Sequence, residues 1–220
     1  METQRVTRTK DEAKASYNRL SRFYDVVAGG AERKHTDAGL ALLGVREAES
    51  ILEIGFGTGH ALAALAKAVG PGGKVTGIDI SVGMTRVARA RLSKLGLLSR
   101  VELDVGDAAR LPYPDASFDA VFMSFSLDLI DTPEIPVVLG ECRRVLTPAG
   151  RICIVSMTNL GKQGVMSQAY GWSHRKMPKL VDCRPIFAAR SLEQAGFEVK
   201  SEKRALMWGL PVETVLAKKA

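Results

Sequence analysis

A glycine-rich segment, LEIGFGTGH (52–60), is the part of the sequence that points most directly to ligand binding. It lies between an apolar run typical of a buried strand and a run typical of a helix. Gly55, Gly57 and Gly59 allow a tight turn and let the backbone approach a ligand closely. The amino end of the following helix favours a polar or anionic ligand group. The dinucleotide-binding fingerprint would require a third glycine at position 60, where this chain has His60.

Two further segments place acidic residues just after predicted strands. Asp79 ends the second strand, 22 residues after Gly57, where a carboxylate can accept hydrogen bonds from both hydroxyls of a ribose. NAD-dependent enzymes place an acidic residue similarly, so Asp79 alone does not distinguish the two kinds of nucleotide site. Met84 follows in the next helix, where it packs either on an adenine ring or in the hydrophobic core. The tripeptide Gly-Asp-Ala at 106–108 follows the third strand.

The elements that must position these residues alternate between strands and helices. Strand patterns are found at 51–55, 74–80, 100–107, 118–125, 151–157, 198–206 and 212–218. Helical patterns are found at 10–28 (ended by Gly29 and Gly30), 34–44, 60–70, 81–96, 134–146 and 190–197. This alternation predicts an α/β fold in a single domain, 1–220, with a mostly parallel seven-stranded sheet and helices on both faces.

Together with two more segments, these motifs resemble those of the class I S-adenosylmethionine (SAM)-dependent methyltransferases. The additional segments are LPYPDASFDAV (111–121), before the fourth strand, and ECRRVLTPAGRICIVS (141–156), a helix-turn-strand step. That step commonly contains Pro-Gly-Gly, where this chain has Pro-Ala-Gly at 148–150. The resemblance covers about 50–218 and implies a Rossmann-like class I methyltransferase fold with SAM as the cofactor. The SAM-binding residues that it implies are Glu53, Gly55, Gly57, Gly59, Asp79, Met84, Asp107 (at the adenine amino group), Ala108 and Ser124.

The N-terminal segment YNRLSRFYD (17–25) narrows the resemblance to one branch. A helix ending in Tyr-Asp before the core is similar to the ubiquinone/menaquinone C-methyltransferases, a branch that includes bacterial phospholipid N-methyltransferases. The resemblance implies that 1–30 and 158–189 form a lid on the acceptor side. It also implies that Tyr24 lies near the methionine carboxylate of SAM and takes part in catalysis. The alternative is that Tyr24 belongs to an apolar helical stripe packed on the core.

The acceptor is expected beyond the carboxyl end of the fourth strand, in MSFSLDLID (123–131). Methyl transfer from a sulfonium is an in-line displacement that depends on alignment and desolvation more than on an acid or base. Asp128, where many relatives have His, is predicted to attract a protonated amine and to orient it after proton loss. The alternative for Asp128 is a solvated helix cap. His174, in the variable 158–189 segment, is the other candidate catalytic residue facing the acceptor.

Positive charge is concentrated in two segments of the chain. The formal net charge is +7, and residues 1–22 and 157–189 carry net charges of +3 and +4. Because both segments also contain aromatic residues, we expect salt-sensitive binding to an anionic membrane surface. The alternative is an ordinary solvated basic surface.

Composition disfavours several other classes of function. The three cysteines lie far apart, so no metal site is expected and the thiols should be reduced. No Asn/Asp-Pro-Pro-Tyr segment is present, which disfavours a nucleic-acid substrate. The sequence has no apolar run of about 18 residues and no secretory signal, so a cytoplasmic protein, peripheral on the inner face of the membrane at most, is expected.

The sequence therefore predicts an enzyme that methylates a small-molecule or lipid-like acceptor. A phosphatidylethanolamine-type amine is the leading expectation, because its phosphate suits the basic segments and its amine suits an acidic cleft edge. C-methylation of a polyprenyl quinone precursor and methylation of a soluble small molecule are the alternatives. A non-catalytic SAM- or NAD-binding module is the rival from a different class of function.

Overall fold

A computed structural model shows strands and helices alternating around one sheet. The residues that it describes are Thr9, Glu12, Lys14, Ala15, Asn18, 29–158 and 184–220. The elements of the first half are α1 (Gly29–Leu43), β1 (Ser50–Ile54), α2 (His60–Ala68), β2 (Lys74–Asp79), α3 (Val82–Lys94) and β3 (Val101–Val105). The elements of the second half are β4 (Phe118–Ser124), α4 (Ile135–Val145), β5 (Leu146–Met157), α5 (Ala188–Gln194), β6 (Phe197–Met207) and β7 (Leu210–Lys219).

The sheet has seven strands in the order β3-β2-β1-β4-β5-β7-β6. The first five strands run parallel, and β7 is antiparallel to both β5 and β6. The predicted fold class is confirmed. Because strand order reverses between β1 and β4, a crevice opens beyond the carboxyl ends of these two strands, where open α/β sheets bind ligands.

The core lies on both faces of the sheet and explains the local sequence patterns. On one face, α1, α2 and α3 cover β-strand residues such as Ile51, Phe122 and Val155. On the other face, α4 and α5 cover residues such as Leu52 and Val121. Alternate side chains of the central strands are thus buried on opposite faces, which is why these strands read as continuous apolar runs.

Two predicted element boundaries differ from the structure. Gly29 and Gly30 begin helix α1 rather than end a preceding one, so the predicted 34–44 helix starts earlier. Strand β5 begins at Leu146 rather than at Arg151. Phe118 pairs with Leu146 while Ala120 pairs with Arg151, so the Pro-Ala-Gly segment forms an irregularity within the strand pairing.

Three further features concern the described part of the chain. None of its helices combines the length and the apolar character that crossing a bilayer requires. Cys142 and Cys153 are free thiols, and burial raises the pKa of each to about 12. Within 29–158 and 184–220, no cluster of three or more His, Cys, Asp or Glu side chains could hold a metal ion.

Candidate cofactor and acceptor cleft

A cleft of about 240 Å³ opens at the carboxyl edge of the sheet. Strands β1, β2 and β4 end at its floor, and α1 and the start of α4 form part of its wall. Of the predicted cofactor residues, the cleft is lined by Glu53, Gly55, Gly57, Asp79, Met84, Asp107, Ala108 and Ser124. The fold therefore brings together side chains that are dispersed over 72 residues of sequence.

The three glycines of the first loop occupy different surroundings. A Cβ added at Gly55 would lie 2.5 Å from the Cβ of Ser126, and one added at Gly59 would lie 2.9 Å from the Cβ of Ala88. A Cβ at Gly57 would meet nothing within 4 Å. Gly55 and Gly59 therefore permit close packing of β1 and α2 against their neighbours. Gly57, with a φ of 51°, leaves open the space in the cleft above it.

Asp79 ends β2 and organises the backbone of the glycine loop. Its carboxylate accepts hydrogen bonds from the N–H of Gly57 at 2.9 Å and from the N–H of Ser81 at 2.8 Å. Burial raises the pKa of Asp79 to about 6, although these two hydrogen bonds oppose the rise. The group is therefore anionic at neutral pH and titrates near pH 6.

Glu53 lies on the floor of the cleft, one strand away from Asp79. Burial, and next the charge of Asp79, raise the pKa of Glu53 well above its ordinary value. Its Oε2 is buried without a hydrogen-bond partner in the described part of the chain. A buried carboxyl oxygen without a partner favours the binding of a polar ligand, because an unmade hydrogen bond in the interior is costly.

The adenine side of the predicted site is formed by α3 and by the turn after β3. Met84 is buried in the first turn of α3, where its N–H donates to the Ser81 hydroxyl that caps the helix, at 3.1 Å. Asp107 accepts a hydrogen bond from the N–H of Ala109 at 2.9 Å, which fixes the turn. Met84 and Asp107 thus both line the cleft from rigid positions.

Helix α1 contributes residues that the sequence analysis missed. Glu32, Arg33 and Thr36 line the cleft. The hydroxyl of Thr36 donates to the carbonyl of Glu32 at 3.0 Å and lies 2.8 Å from the hydroxyl of Ser124. The spacing of four residues between Glu32 and Thr36 was the available signal, since it places both on one helical face. Their proximity to Ser124, however, depends on the packing of α1 across β4.

A second contact joins α1 to the helix that follows the glycine loop. His60 Nε2 and Asp37 Oδ1 lie 3.0 Å apart. His60 is the first residue of α2 and also lines the cleft. The two contacts of α1, at Ser124 and at His60, hold this helix along one side of the cleft.

The structure places Asp128 away from the cleft. Its side chain is 0% exposed, in the 3-10 turn Leu127–Leu129, and it accepts a hydrogen bond from the N–H of Met157 at 3.3 Å. It is neither a solvated cap nor a lining group, so the expected position at the cleft edge is corrected. The neighbouring Leu129, Ile130 and Asp131 line the cleft instead, because the 3-10 turn directs Asp128 inward.

The other predicted acceptor-side residues lie outside the described part of the chain. These are Tyr24 and His174, together with nearly all of the two proposed lid segments. Their roles stay predictions. The described wall on the acceptor side is instead apolar, with Leu129, Ile130 and Val138, and carries Asp131 and Glu134 at its edge.

The residues present fit SAM as the cofactor. Asp79 offers a carboxylate at the end of β2, Glu53 offers a buried acidic atom without a partner, and Gly57 leaves space that a side chain would fill. Residues 51–150 match the family model of a methyltransferase domain. Fold, cleft and family match together define the chain as carrying a class I SAM-dependent methyltransferase domain.

A known methyltransferase is similar in sequence to much of this chain. The ubiquinone/menaquinone biosynthesis C-methyltransferase UbiE of Pseudomonas savastanoi pv. phaseolicola is 36% identical over 155 residues, which is 70% of this chain and 59% of that relative. The chain thus matches somewhat more than half of the relative's length.

Two solved structures share the fold. A SAM-dependent methyltransferase from Aquifex aeolicus is 23% identical with a TM-score of 0.67, covering 94% of this chain and 98% of that one. The [4+2]-cyclase SpnF is 20% identical with a TM-score of 0.78, covering 99% of both chains. Since one of the two is named as a cyclase, the fold alone does not determine the reaction.

Proposed function

We propose that the protein transfers the methyl group of SAM to a ring carbon of a polyprenyl quinone precursor. The observation that carries this proposal is the 36% identity, over 155 residues, with a quinone C-methyltransferase. C-methylation was the alternative expectation from the sequence, and the relatives favour it over phosphatidylethanolamine N-methylation.

The cleft gives independent support for an apolar, lipid-like acceptor. Its acceptor side presents the side chains of Phe125, Leu129, Ile130 and Val138. An amine acceptor was expected because Asp128 would attract it, but Asp128 is buried away from the cleft. Asp128 itself therefore cannot bind an amine in the cleft, although Asp131 and Glu134 keep its edge acidic, and the apolar wall suits a prenylated ring.

The proposed cofactor site uses the residues brought together at β1, β2 and β4. Asp79 would hold the ribose hydroxyls, and Asp107 with Ala108 would hold the adenine beside Met84. Glu53 and Ser124 would lie at the methionine end, with Gly55, Gly57 and Gly59 shaping the loop. When bound, SAM supplies an electrophilic methyl group on a sulfonium.

The chain's own contribution to the reaction is alignment, water exclusion and removal of one proton. With SAM held in the cleft, its methyl group would pass to the ring carbon, and that carbon would then lose its proton to a group of the chain. The apolar wall excludes water from this step. The carboxylates of Glu32 and Glu134, which line the cleft, are the proposed proton acceptors.

The experiment that tests the proposal uses SAM carrying a deuterated methyl group. The protein is incubated in detergent with a reduced, short-prenyl demethyl-quinol, and separately with phosphatidylethanolamine. Mass spectrometry of the extracts is expected to show the labelled methyl group on the quinol ring. An acceptor deuterated at the open ring carbon should release that deuterium to solvent in step with methylation.

A control and a contradicting outcome make this test decisive. The Gly57→Val variant, which blocks the cleft, should transfer no label to either acceptor. Label found on the phosphatidylethanolamine amine and absent from the quinol ring would refute C-methylation. Such a result would restore the N-methylation hypothesis.

A further inference from the structure

The turn between β6 and β7 has an unusual residue at its tip. Met207 pairs with Leu210, so only Trp208 and Gly209 connect the two strands. Both have positive φ, 51° and 80°, as in the type I′ turns of two-residue hairpins. The first position of such a turn favours Asn, Asp or Gly, and a bulky residue there is strained. The backbone conformation at this position therefore disfavours tryptophan.

Packing among the described residues does not compensate for this strain. The Trp208 side chain is 63% exposed, and Leu206, next to the turn, is 68% exposed. They are the two most exposed large apolar side chains in the described part of the chain. The closing pair, Met207 and Leu210, is by contrast buried in the core. The hairpin tip is thus held firmly while it presents two apolar side chains to the outside.

The tip projects past the edge of the sheet on which the cleft opens. Ser124, at the end of β4, is level with Val155 of β5, and Val212 of β7 is level with Met157. Leu210 therefore lies four residues beyond the level of Ser124, or about 13 Å at the rise of a strand. Three strand spacings, about 15 Å, separate β6 from β4. A surface that touched the tip would therefore face the cleft.

Charge near the hairpin favours an anionic surface. Lys203 and Arg204 are exposed on β6, where Arg204 also pairs with Glu202. Thr158, whose N–H donates to the carbonyl of Pro211 at 3.0 Å, is the last residue of the described stretch 29–158 and lies beside the hairpin. The sequence that continues from it, 159–183, has four basic residues and one acidic residue. Tryptophan itself favours the boundary between water and lipid.

We propose that the β6–β7 hairpin tip, Leu206–Leu210, contacts an anionic lipid bilayer, with Trp208 and Leu206 inserted at the headgroup level. This inference rests on the proposed function, since a polyprenyl acceptor resides in a membrane. The hairpin would place the mouth of the cleft next to the surface from which the acceptor must come.

Tryptophan fluorescence tests the contact directly. The chain has two tryptophans, Trp172 and Trp208, so the variant Trp172→Phe leaves Trp208 as the single reporter. The probe is a vesicle of phosphatidylcholine and phosphatidylglycerol, with brominated acyl chains in one set. Emission of Trp208 is expected to shift to shorter wavelength and to be quenched by the brominated lipid. Unchanged emission from vesicle-bound protein would overturn the proposal.

A substitution tests the energetic contribution of the tip. Trp208→Asn introduces the residue that the turn prefers, so thermal stability should be kept or raised. Affinity for the anionic vesicles should fall about tenfold through loss of apolar burial. The matched control is Leu95→Asn, which removes a 47% exposed apolar side chain at the far end of α3. Equal vesicle affinity of wild type and Trp208→Asn would overturn the proposal.

Two measurements distinguish the bilayer contact from the proposed function and from dimerisation through the hairpin tip. SAM affinity and turnover of the detergent-dissolved acceptor should be unchanged in Trp208→Asn. If no acceptor is turned over in detergent, the proposed function fails, whatever the vesicles show. If wild type forms a dimer that Trp208→Asn dissociates, and vesicles leave Trp208 emission unchanged, the tip binds a second copy of the chain and the bilayer contact is refuted.

Discussion

Carboxylates lie in two regions at the carboxyl edge of the sheet, and their surroundings give them different roles. At β1 and β2, Glu53 and Asp79 line the cleft. At the β4–β5–β7 side, Asp128 and Glu213 are both 0% exposed and outside the cleft. Asp79 holds the glycine loop, whereas Glu213 accepts the N–H of Ala188 at the start of α5, at 2.6 Å.

The comparison shows that a raised pKa does not by itself mark a ligand-binding group. Burial raises the pKa of Asp79 to about 6 and that of Glu213 to about 7. The first carboxylate has open space beside it, while the second is enclosed by β5, β6 and α5. We therefore expect substitutions in the first region to change SAM affinity, and substitutions in the second region to change stability.

The largest expected effect is at the open glycine of the first region. Gly57→Val places a β-branched side chain in the cleft at positive φ and should weaken SAM binding by about 100-fold or more. Calorimetric titration with SAM measures this. The matched control is Gly140→Val, because a Cβ at Gly140 on α4 also meets nothing within 4 Å. Wild-type affinity in a folded Gly57→Val protein would contradict the loop assignment.

The next effect concerns Asp79. Asp79→Ala should weaken SAM binding by about 1–3 kcal/mol, through loss of two charge-assisted hydrogen bonds. Because the ionised carboxylate is the better acceptor, wild-type affinity should also fall as pH drops through about 6. Asp79→Asn should lack that pH dependence. Calorimetric titrations with SAM from pH 5 to pH 8 measure both effects. A wild-type SAM affinity that does not change with pH would show that Asp79 does not bind the ligand.

A smaller and opposite effect is expected in the second region. The folded-state pKa of Glu213 is raised, so its ionisation reduces stability as pH rises from about 4.5 to about 7. Glu213→Gln removes this penalty and should stabilise the protein by about 1–2 kcal/mol at pH 8 and by little at pH 5. Thermal unfolding at both pH values measures it. SAM affinity should not change; if it does, the proposed division between the regions fails.

The smallest effect should occur where α1 meets the cleft. Thr36→Val and Ser124→Ala remove the hydroxyls that lie 2.8 Å apart. A double-mutant cycle on SAM affinity should give a coupling energy of about 0.5–1 kcal/mol, typical of one hydrogen bond. A coupling energy of zero would show that α1 covers the cleft without organising its polar groups.

Local sequence patterns predict the fold class, which the structure confirms, and they predict residues that the structure brings to one cleft. Strand–helix alternation and the glycine loop identify the sheet and its first crossover. The position of an acidic residue after β2 follows from the same pattern. These features are local: each depends on residue types within one strand–turn–helix unit, and the ends of parallel strands must meet at one edge.

Which side chains reach the cleft depends on the packing of distant elements. The three glycines are alike in sequence, yet Ser126 and Ala88 crowd two of them and leave Gly57 open. Asp128 and Asp131 lie three residues apart, but a 3-10 turn buries the first and brings the second to the cleft. Thr36 meets Ser124 across 88 residues. Such depths and contacts depend on how distant elements pack, which no local pattern encodes.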